Sequence, residues 1–263
     1  MKLSDILKNV DHTTQTSLDP EITDLIYDSR KVKENTAFFC LKGYTSNGHD
    51  YAKSAVEKGA AALIISDDLD FEVPENVAVI KTEDTRLALA LSSNEFFGNP
   101  ADELMTVAIT GTKGKTTTAA MIAEIFERAG IKTGTIGTLG IVYGGNTYKT
   151  DNTTPESYDI QYYMSRMVCA GVKVLVMEVS SQALKLARVH GIKFDVCVFT
   201  NLSPDHIGEF EHPDFEDYKN AKKRLFDRFD ARCVVYNADD EASVYMISGH
   251  KGATLSFSIE NKG

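Results

Sequence analysis

The sequence predicts an α/β protein: a small N-terminal α/β domain, then a second domain with a mainly parallel sheet built on a phosphate-binding loop. Three observations carry this. Short apolar runs alternate with amphipathic helical stretches along the chain. Residues 105–118 read as strand, glycine loop and helix in direct succession. Gly98-Asn99-Pro100 interrupts the rhythm and reads as a linker.

Residues 1–9 form a short amphipathic helix with Leu3, Ile6 and Leu7 on one face. Ile26-Tyr27 leads into the polar triplet Asp28-Ser29-Arg30. A strand at 37–41 runs into a polar, glycine-flanked loop from Lys42 to Asp50. A helix at about 51–58 ends at Gly59, strands follow at 60–65 and 77–81, and a helix at about 84–97 closes the first domain, residues 1–98.

The second domain, 101–263, opens on an apolar run, Val107 to Ile109, that turns through Gly111 and Gly114 into Lys115-Thr116. Met121, Ile122, Ile125 and Phe126 then recur at helical spacing, and Gly130 stands at the C-cap. Glycines let backbone N–H groups approach phosphate oxygens, and a helix N-terminus adds positive potential. A lysine there reaches terminal phosphates and a threonine hydroxyl holds Mg²⁺. Only two residues separate the glycines, against four in the usual nucleotide loop, so this is a shortened variant.

Further strands are expected at 133–137, 173–179, 194–199 and 233–237, with helices at about 156–170 and 214–229. This βαβ order predicts a sheet covered on both faces. Ligands bind such sheets beyond the carboxyl ends of the strands. Glu178, Asn201, Asp205 and His206 all fall at such ends and gather beside the loop, with Glu178 and His206 as direct or water-mediated Mg²⁺ partners. Taken singly, Glu178 has a lesser reading as a paired structural carboxylate and His206 is more often a surface or capping histidine; their shared placement at strand ends favours the metal role for both.

A net charge of −10 argues against a nucleic-acid partner. Cys40, Cys169, Cys197 and Cys233 are far apart without metal-site spacing and read as reduced core residues of a cytoplasmic protein. The polar N-terminus is no signal peptide, and no apolar run reaches the ~18 residues of a membrane span.

These residues resemble the Mur ligases. Thr110 to Thr118 (TGTKGKTTT) is similar to their nucleotide loop. Asn152 to Pro155 (NTTP), Met177 to Leu184 (MEVSSQAL), Phe194 through His206, and Tyr218 through Phe226 resemble motifs of the UDP-N-acetylmuramoyl-tripeptide synthetase (MurE-type) branch. So do Asp28-Ser29-Arg30 and the loop from Gly43 to Tyr51. That branch adds the third amino acid of the peptidoglycan stem.

The resemblance implies that Ser29 and Tyr44-Thr45-Ser46 hold the uridine-diphosphate end of the substrate. Asn152, Thr153, Thr154, Ser180 and Arg188 would hold the muramoyl-peptide. Gly111 through Thr117, including Thr112, Lys113 and Gly114, would bind ATP. Lys115 would contact its phosphates, and Thr116, Glu178, His206 and Lys222 would serve two Mg²⁺ ions, Lys222 as a carbamylated lysine. Read without the resemblance, Lys222 within Lys222-Lys223-Arg224 is an ordinary helix-surface residue. The implied reaction is ATP-dependent ligation through an acyl phosphate, with catalytic roles for Lys115, His206 and Lys222. The implied partners are UDP-N-acetylmuramoyl-peptide, ATP and an amino acid, taken up by a cytoplasmic monomer.

The chain departs from the family's usual residues at Lys113 (usually Asn), Gln182 (usually His), Leu186 and the stretch Asp205 to Phe210. Family members carry a third domain, so a chain ending at Gly263 reads as a fragment that binds the muropeptide without ligating it. Other readings are a folylpolyglutamate synthetase or another Mur ligase, and a non-catalytic binding paralogue. Asp28-Ser29-Arg30 and the 152–155 motif argue against the folate branch. The intact Lys115, Thr116, Glu178, His206 and Lys222 argue against the non-catalytic paralogue. No guanine-specifying Asn-Lys-x-Asp supports a GTPase.

Overall fold

Five short strands and three helices form the first unit, Met1–Gly98. In chain order they are α1 (Leu3–Ile6), β1 (Thr13–Thr14), β2 (Asp24–Ile26), β3 (Thr36–Phe39), α2 (Ala52–Glu57), β4 (Ala60–Ile65), β5 (Ala78–Lys81) and α3 (Thr85–Phe96). The sheet order is β1-β5-β4-β3-β2, parallel from β2 to β5, with β1 antiparallel on the edge. Phe38, Leu63, Val77 and Val79 pack against Ala52 and Ala55 of α2. Asp84 caps α3 by accepting from the N–H groups of Arg86 and Leu87. The N-terminal helix is one turn, shorter than its apolar spacing predicts, because Leu7 already leaves helical geometry as its C-cap.

The second unit starts at Asn99. Asn99 adopts left-handed geometry, and Pro100 begins a 3-10 turn whose Pro100 and Ala101 are buried. Then come β6 (Met105–Thr110), α4 (Lys115–Arg128), β7 (Thr133–Gly137), β8 (Gly140–Tyr143), β9 (Asn146–Tyr148), α5 (Ser157–Cys169), β10 (Val174–Glu178) and α6 (Ser181–Lys185). They are followed by β11 (Val196–Phe199), α7 (Phe215–Asp227), β12 (Cys233–Asn237), α8 (Ser243–Ile247) and β13 (Ala253–Phe257). This computed structural model describes residues 1–209 and 211–260, so Phe210 of the 205–210 stretch lies outside the described residues.

The second sheet runs β13-β12-β11-β6-β10-β7-β8-β9. It is parallel from β13 to β7, and β8 and β9 add antiparallel strands. Alternate residues split between its faces. Val107, Ile109, Val174, Val176 and Val198 meet α4, through Ala119, Ile122 and Phe126. Ala108, Leu175, Met177, Cys197 and Phe199 meet α5, α6, α7 and α8, through Met164, Leu184, Leu225 and Met246. Among the described residues no helix is long and apolar enough to cross a membrane.

The four cysteines are free, but only two are core residues. Burial pushes the Cys40 and Cys197 thiols up to about 12. Cys169 is exposed and Cys233 half-buried. The inward face of α5 runs through Ile160, Met164 and Met167, which turns Cys169 toward solvent.

Candidate nucleotide and metal site

β6 ends at Thr110, and the loop Gly111 to Gly114 delivers the chain to α4, whose first turn carries no side-chain cap. Gly111 has φ of +150°, and a Cβ there would lie 2.0 Å from Thr200 Oγ1, so the loop packs on the end of β11 only because this position lacks a side chain. The neighbouring strand end locks it further. Asn201 accepts from the Lys113 N–H at 2.9 Å and donates its side-chain N–H to the Lys113 carbonyl at 3.0 Å. Thr112 turns inward: its hydroxyl donates to the Ser203 carbonyl at 3.1 Å and lies 3.1 Å from the buried Tyr218 hydroxyl. Lys113 is exposed and reaches Asp205 at 3.3 Å, and that hydrogen bond holds the Asp205 carboxyl below the usual carboxylate range.

Two lysines end on one carbonyl oxygen. Lys115 Nζ donates to Gly111 O at 2.8 Å and to Thr112 O at 3.1 Å. Lys222 Nζ donates to the same Gly111 O at 2.9 Å, with the Tyr218 ring 4.5 Å away. The surface reading of Lys222 is overturned. Tyr218, Ala221, Lys222, Leu225 and Phe226 form the buried face of α7, and Lys222 is 2% exposed. Burial, with the Lys115 charge beside it, brings the Lys222 ammonium down to about 7. Burial also lowers Lys115, against the carboxylates of Glu178 and Asp205.

Across the loop, Glu178 ends β10 and is 2% exposed. Its carboxylate accepts from the Thr116 hydroxyl at 2.9 Å and from the Thr138 N–H at 2.9 Å. Among the described residues it makes no ion pair. Gly137 leaves the room it occupies: a Cβ there would lie 2.2 Å from Glu178 Oε1. The Glu178 oxygens are met by Thr116 and Thr138 rather than by a counter-charge.

His206 stands apart from this pair. It is exposed, has φ of +54°, and its Nδ1 lies 2.8 Å from Glu211 Oε1. Among the described residues no group of three His, Cys, Asp or Glu is arranged to hold a metal ion. Thr116 and Glu178 are thus brought together, whereas Lys222 ends on Gly111 O and His206 on Glu211.

The 152–155 motif and the segment after β10 meet through Thr154, which is fully buried. Its hydroxyl donates to the Glu178 carbonyl at 2.9 Å and accepts from the Ser180 N–H at 3.0 Å. Arg188 donates to Glu156 at 2.9 Å and to the Thr154 carbonyl at 3.0 Å. Thr154 and Arg188 therefore brace the motif internally. Asn152 is exposed and the Thr153 hydroxyl lies 3.2 Å from that of Thr138. Ser180 caps α6 by accepting from the Ala183 N–H. Sequence reasoning missed Thr138, although the end of β7 pointed to it. It also missed a buried chain in which His212 joins Ser181 at 2.9 Å to Asp217 at 2.6 Å, for which no local pattern existed.

In the first unit, Asp28 caps a 3-10 turn at Ser29–Lys31 and grips Arg30 through Nε and Nη2, which draws its carboxyl down to about 2. The loop 42–48 closes through Gly43 N to Ser46 O, leaving Tyr44, Thr45 and Ser46 exposed.

A loop of this kind, between a parallel strand and a helix and flanked by a buried carboxylate and two lysines, defines a phosphate-binding α/β protein. Residues 109–263 match the Mur ligase middle domain, and residues 21–97 match the Mur ligase family catalytic domain. The chain belongs to the Mur ligase family. It is 43% identical over 267 residues to a UDP-N-acetylmuramoyl-L-alanyl-D-glutamate--2,6-diaminopimelate ligase of Bacillus licheniformis, covering 99% of this chain and 53% of the relative. A ligase of the same name from Clostridium perfringens is 41% identical over 268 residues, covering 100% and 54%. The chain therefore spans about half the length of the curated relatives it matches. A solved structure of a ligase with that name superposes with a TM-score of 0.79 at 28% identity, covering 92% of this chain and 49% of the other. A MurF ligase from Thermotoga maritima in complex with ADP shares the fold, with a TM-score of 0.59 at 20% identity, covering 90% and 51%.

Proposed function

We propose that this chain carries the muropeptide- and ATP-binding half of a ligase that adds the third amino acid to UDP-N-acetylmuramoyl-dipeptide in peptidoglycan synthesis. Residues 1–98 bind the nucleotide sugar through Ser29 and Tyr44-Thr45-Ser46, and residues 101–263 bind ATP. The observation that carries the reading is the convergence of Lys115 and Lys222 on Gly111 O, opposite Thr116 and Glu178. Lys115 brings positive potential to the loop where a triphosphate belongs, and the desolvated Lys222 amine beside it sheds its proton rather than adding a second charge. The relatives' names supply the substrate class and make 2,6-diaminopimelate the first amino acid to test.

In the reaction, the muropeptide carboxylate attacks the γ-phosphate of ATP to give an acyl phosphate and ADP. The incoming amine then displaces phosphate and the amide forms. Lys115 offsets the repulsion between carboxylate and triphosphate. Asn152, Thr153 and Ser180 orient the muropeptide, with Thr154 and Arg188 holding their backbone. The hydroxyl of Thr116 and the buried carboxylate of Glu178 are hard oxygen donors that fit Mg²⁺; His206, now on Glu211, and Lys222, now on Gly111 O, would join them once nucleotide and metal are bound. Mg²⁺ supplies charge neutralisation at the phosphates. A buried amine that loses its proton near neutral pH fits capture of CO₂, so Lys222 acts as its carbamate. The setting is the cytoplasm, where ATP is.

Calorimetric titration with UDP-N-acetylmuramoyl-dipeptide, with the tripeptide form and a folate as comparators, tests the assignment. Preferential binding of the dipeptide is expected. Equal or absent binding by folded protein would sink it.

A further inference from the structure

His49 lies in a 3-10 turn, Gly48–Tyr51, directly after the 42–48 loop. Its Nε2 accepts from two backbone N–H groups, Ser66 at 3.0 Å and Asp67 at 3.1 Å, where the chain leaves β4. A backbone N–H can only donate, so Nε2 carries the lone pair and Nδ1 carries the proton. That proton is given to Asn47 Oδ1 at 2.8 Å, and the same oxygen accepts from the His49 N–H at 3.2 Å. Asn47 in turn pairs with Lys42 across the loop, and Gly48 N closes it on Leu41 O at 2.8 Å. At the start of the loop Arg86 donates to the Lys42 carbonyl at 3.3 and 3.1 Å, and the Lys42 side chain meets Asp67 at 2.7 Å in an exposed ion pair about half open to solvent on both sides, which holds little.

We infer that His49 is the positioning residue of the Tyr44-Thr45-Ser46 loop, fixing it through Asn47 on one side and the backbone after β4 on the other. This rests on the reading of that loop as the nucleotide-sugar site. A proton added at Nε2 turns its lone pair into a third donor facing two donors, and the loop is released. The charged groups around the ring are Asp67, Lys42 and Asp50. Burial favours the neutral ring, Lys42 adds to that, and the two carboxylates oppose it. The lock is therefore present above the ordinary histidine value of 6.5 and is lost as pH falls below it.

The test uses the 263-residue chain and two readouts between pH 5 and 8: amide exchange of Gly43 and Gly48, and binding of UDP-N-acetylmuramoyl-dipeptide. At pH 7.5, His49→Ala is expected to speed both exchanges and weaken binding about tenfold, the loss of one to two net hydrogen bonds. Wild-type affinity declines below pH 6.5, whereas the His49→Ala profile is flat. His49→Gln, whose side-chain oxygen accepts at every pH, recovers part of the affinity without the pH dependence. A merely structural loss would move the melting temperature but not erase the pH profile. Unchanged exchange at Gly43 and Gly48 in both variants would overturn the inference whatever binds, as would a His49→Ala profile matching wild type. Faster exchange in His49→Ala, beside a wild-type chain that binds no nucleotide sugar, would leave the positioning intact and remove the functional reading instead.

Discussion

Lys222 shows how one residue's environment reverses the meaning of its type. Its ammonium is buried among Tyr218, Leu225 and the phosphate loop, and its value near 7 lies well under the ordinary 10.5. The folded state thus binds this proton more weakly than the unfolded chain. Stability rises with pH between about 7 and 10.5, and the whole cost is present below 7. Lys222→Met keeps the volume and removes the charge. The variant is expected to be more stable than wild type at pH 6 by about 2 kcal/mol in chemical denaturation, with the gain shrinking as pH rises above 7. Equal stabilities at pH 6 and pH 10 would show that the amine is not the seat of the cost. The same variant tests the carbamate: ¹³C-bicarbonate should give wild type a carbamate carbon signal that Lys222→Met lacks.

Elements place Glu178 as much as its own side chain does. β10 carries it to the strand end, α4 brings Thr116 to it, and β7 stops at Gly137 to leave it space. In Gly137→Ala the new methyl meets Glu178 Oε1, the oxygen that accepts from the Thr138 N–H, and pushes the carboxylate out of its place beside the Thr116 hydroxyl. Mg²⁺-dependent nucleotide binding is expected to fall about tenfold or more, with a stability loss of about 1 kcal/mol because the Glu178 side chain can move. Wild-type binding by calorimetry would mean that Glu178 has no part in it. Burial on both faces leaves an unbroken apolar run at 60–65, which matches β4; 133–137 and 233–237 match β7 and β12, although β7 reads Thr-Gly-Thr-Ile-Gly and β12 is only partly buried. The β8–β9 hairpin was missed although Gly144-Gly145, both at positive φ, gave its turn. β13 had no readable pattern because all five of its side chains are exposed, and α6 is too short to show a period. The buried ends of Lys222, Thr154 and His212 were illegible for another reason. Their surroundings come from segments distant in the chain, as in the hydrogen bond from Lys222 to Gly111 O.

At the scale of the second unit, burial falls from the centre of the sheet outward. β10 is buried along its whole length and β6 in all but its first residue. β12 keeps one fully buried residue, and β13 none. Leu255 and Phe257 are 61% and 43% exposed, so β13 is held chiefly by its ladder with β12. A ladder without packed side chains opens locally at little cost, whereas opening β6 or β10 exposes the apolar core on both faces. The phosphate loop and Glu178 leave the two best-buried strands, so the groups that must be held in register are carried by the part of the sheet that opens last. Hydrogen exchange followed by mass spectrometry should therefore show the amides of residues 253–257 exchanging on the order of a hundredfold faster than those of 174–178. Adding MgATP should slow exchange in 111–118 and leave 253–257 as it was. Equal protection of β13 and β10 would mean that β13 is covered in solution, and the gradient from centre to edge would not describe the protein.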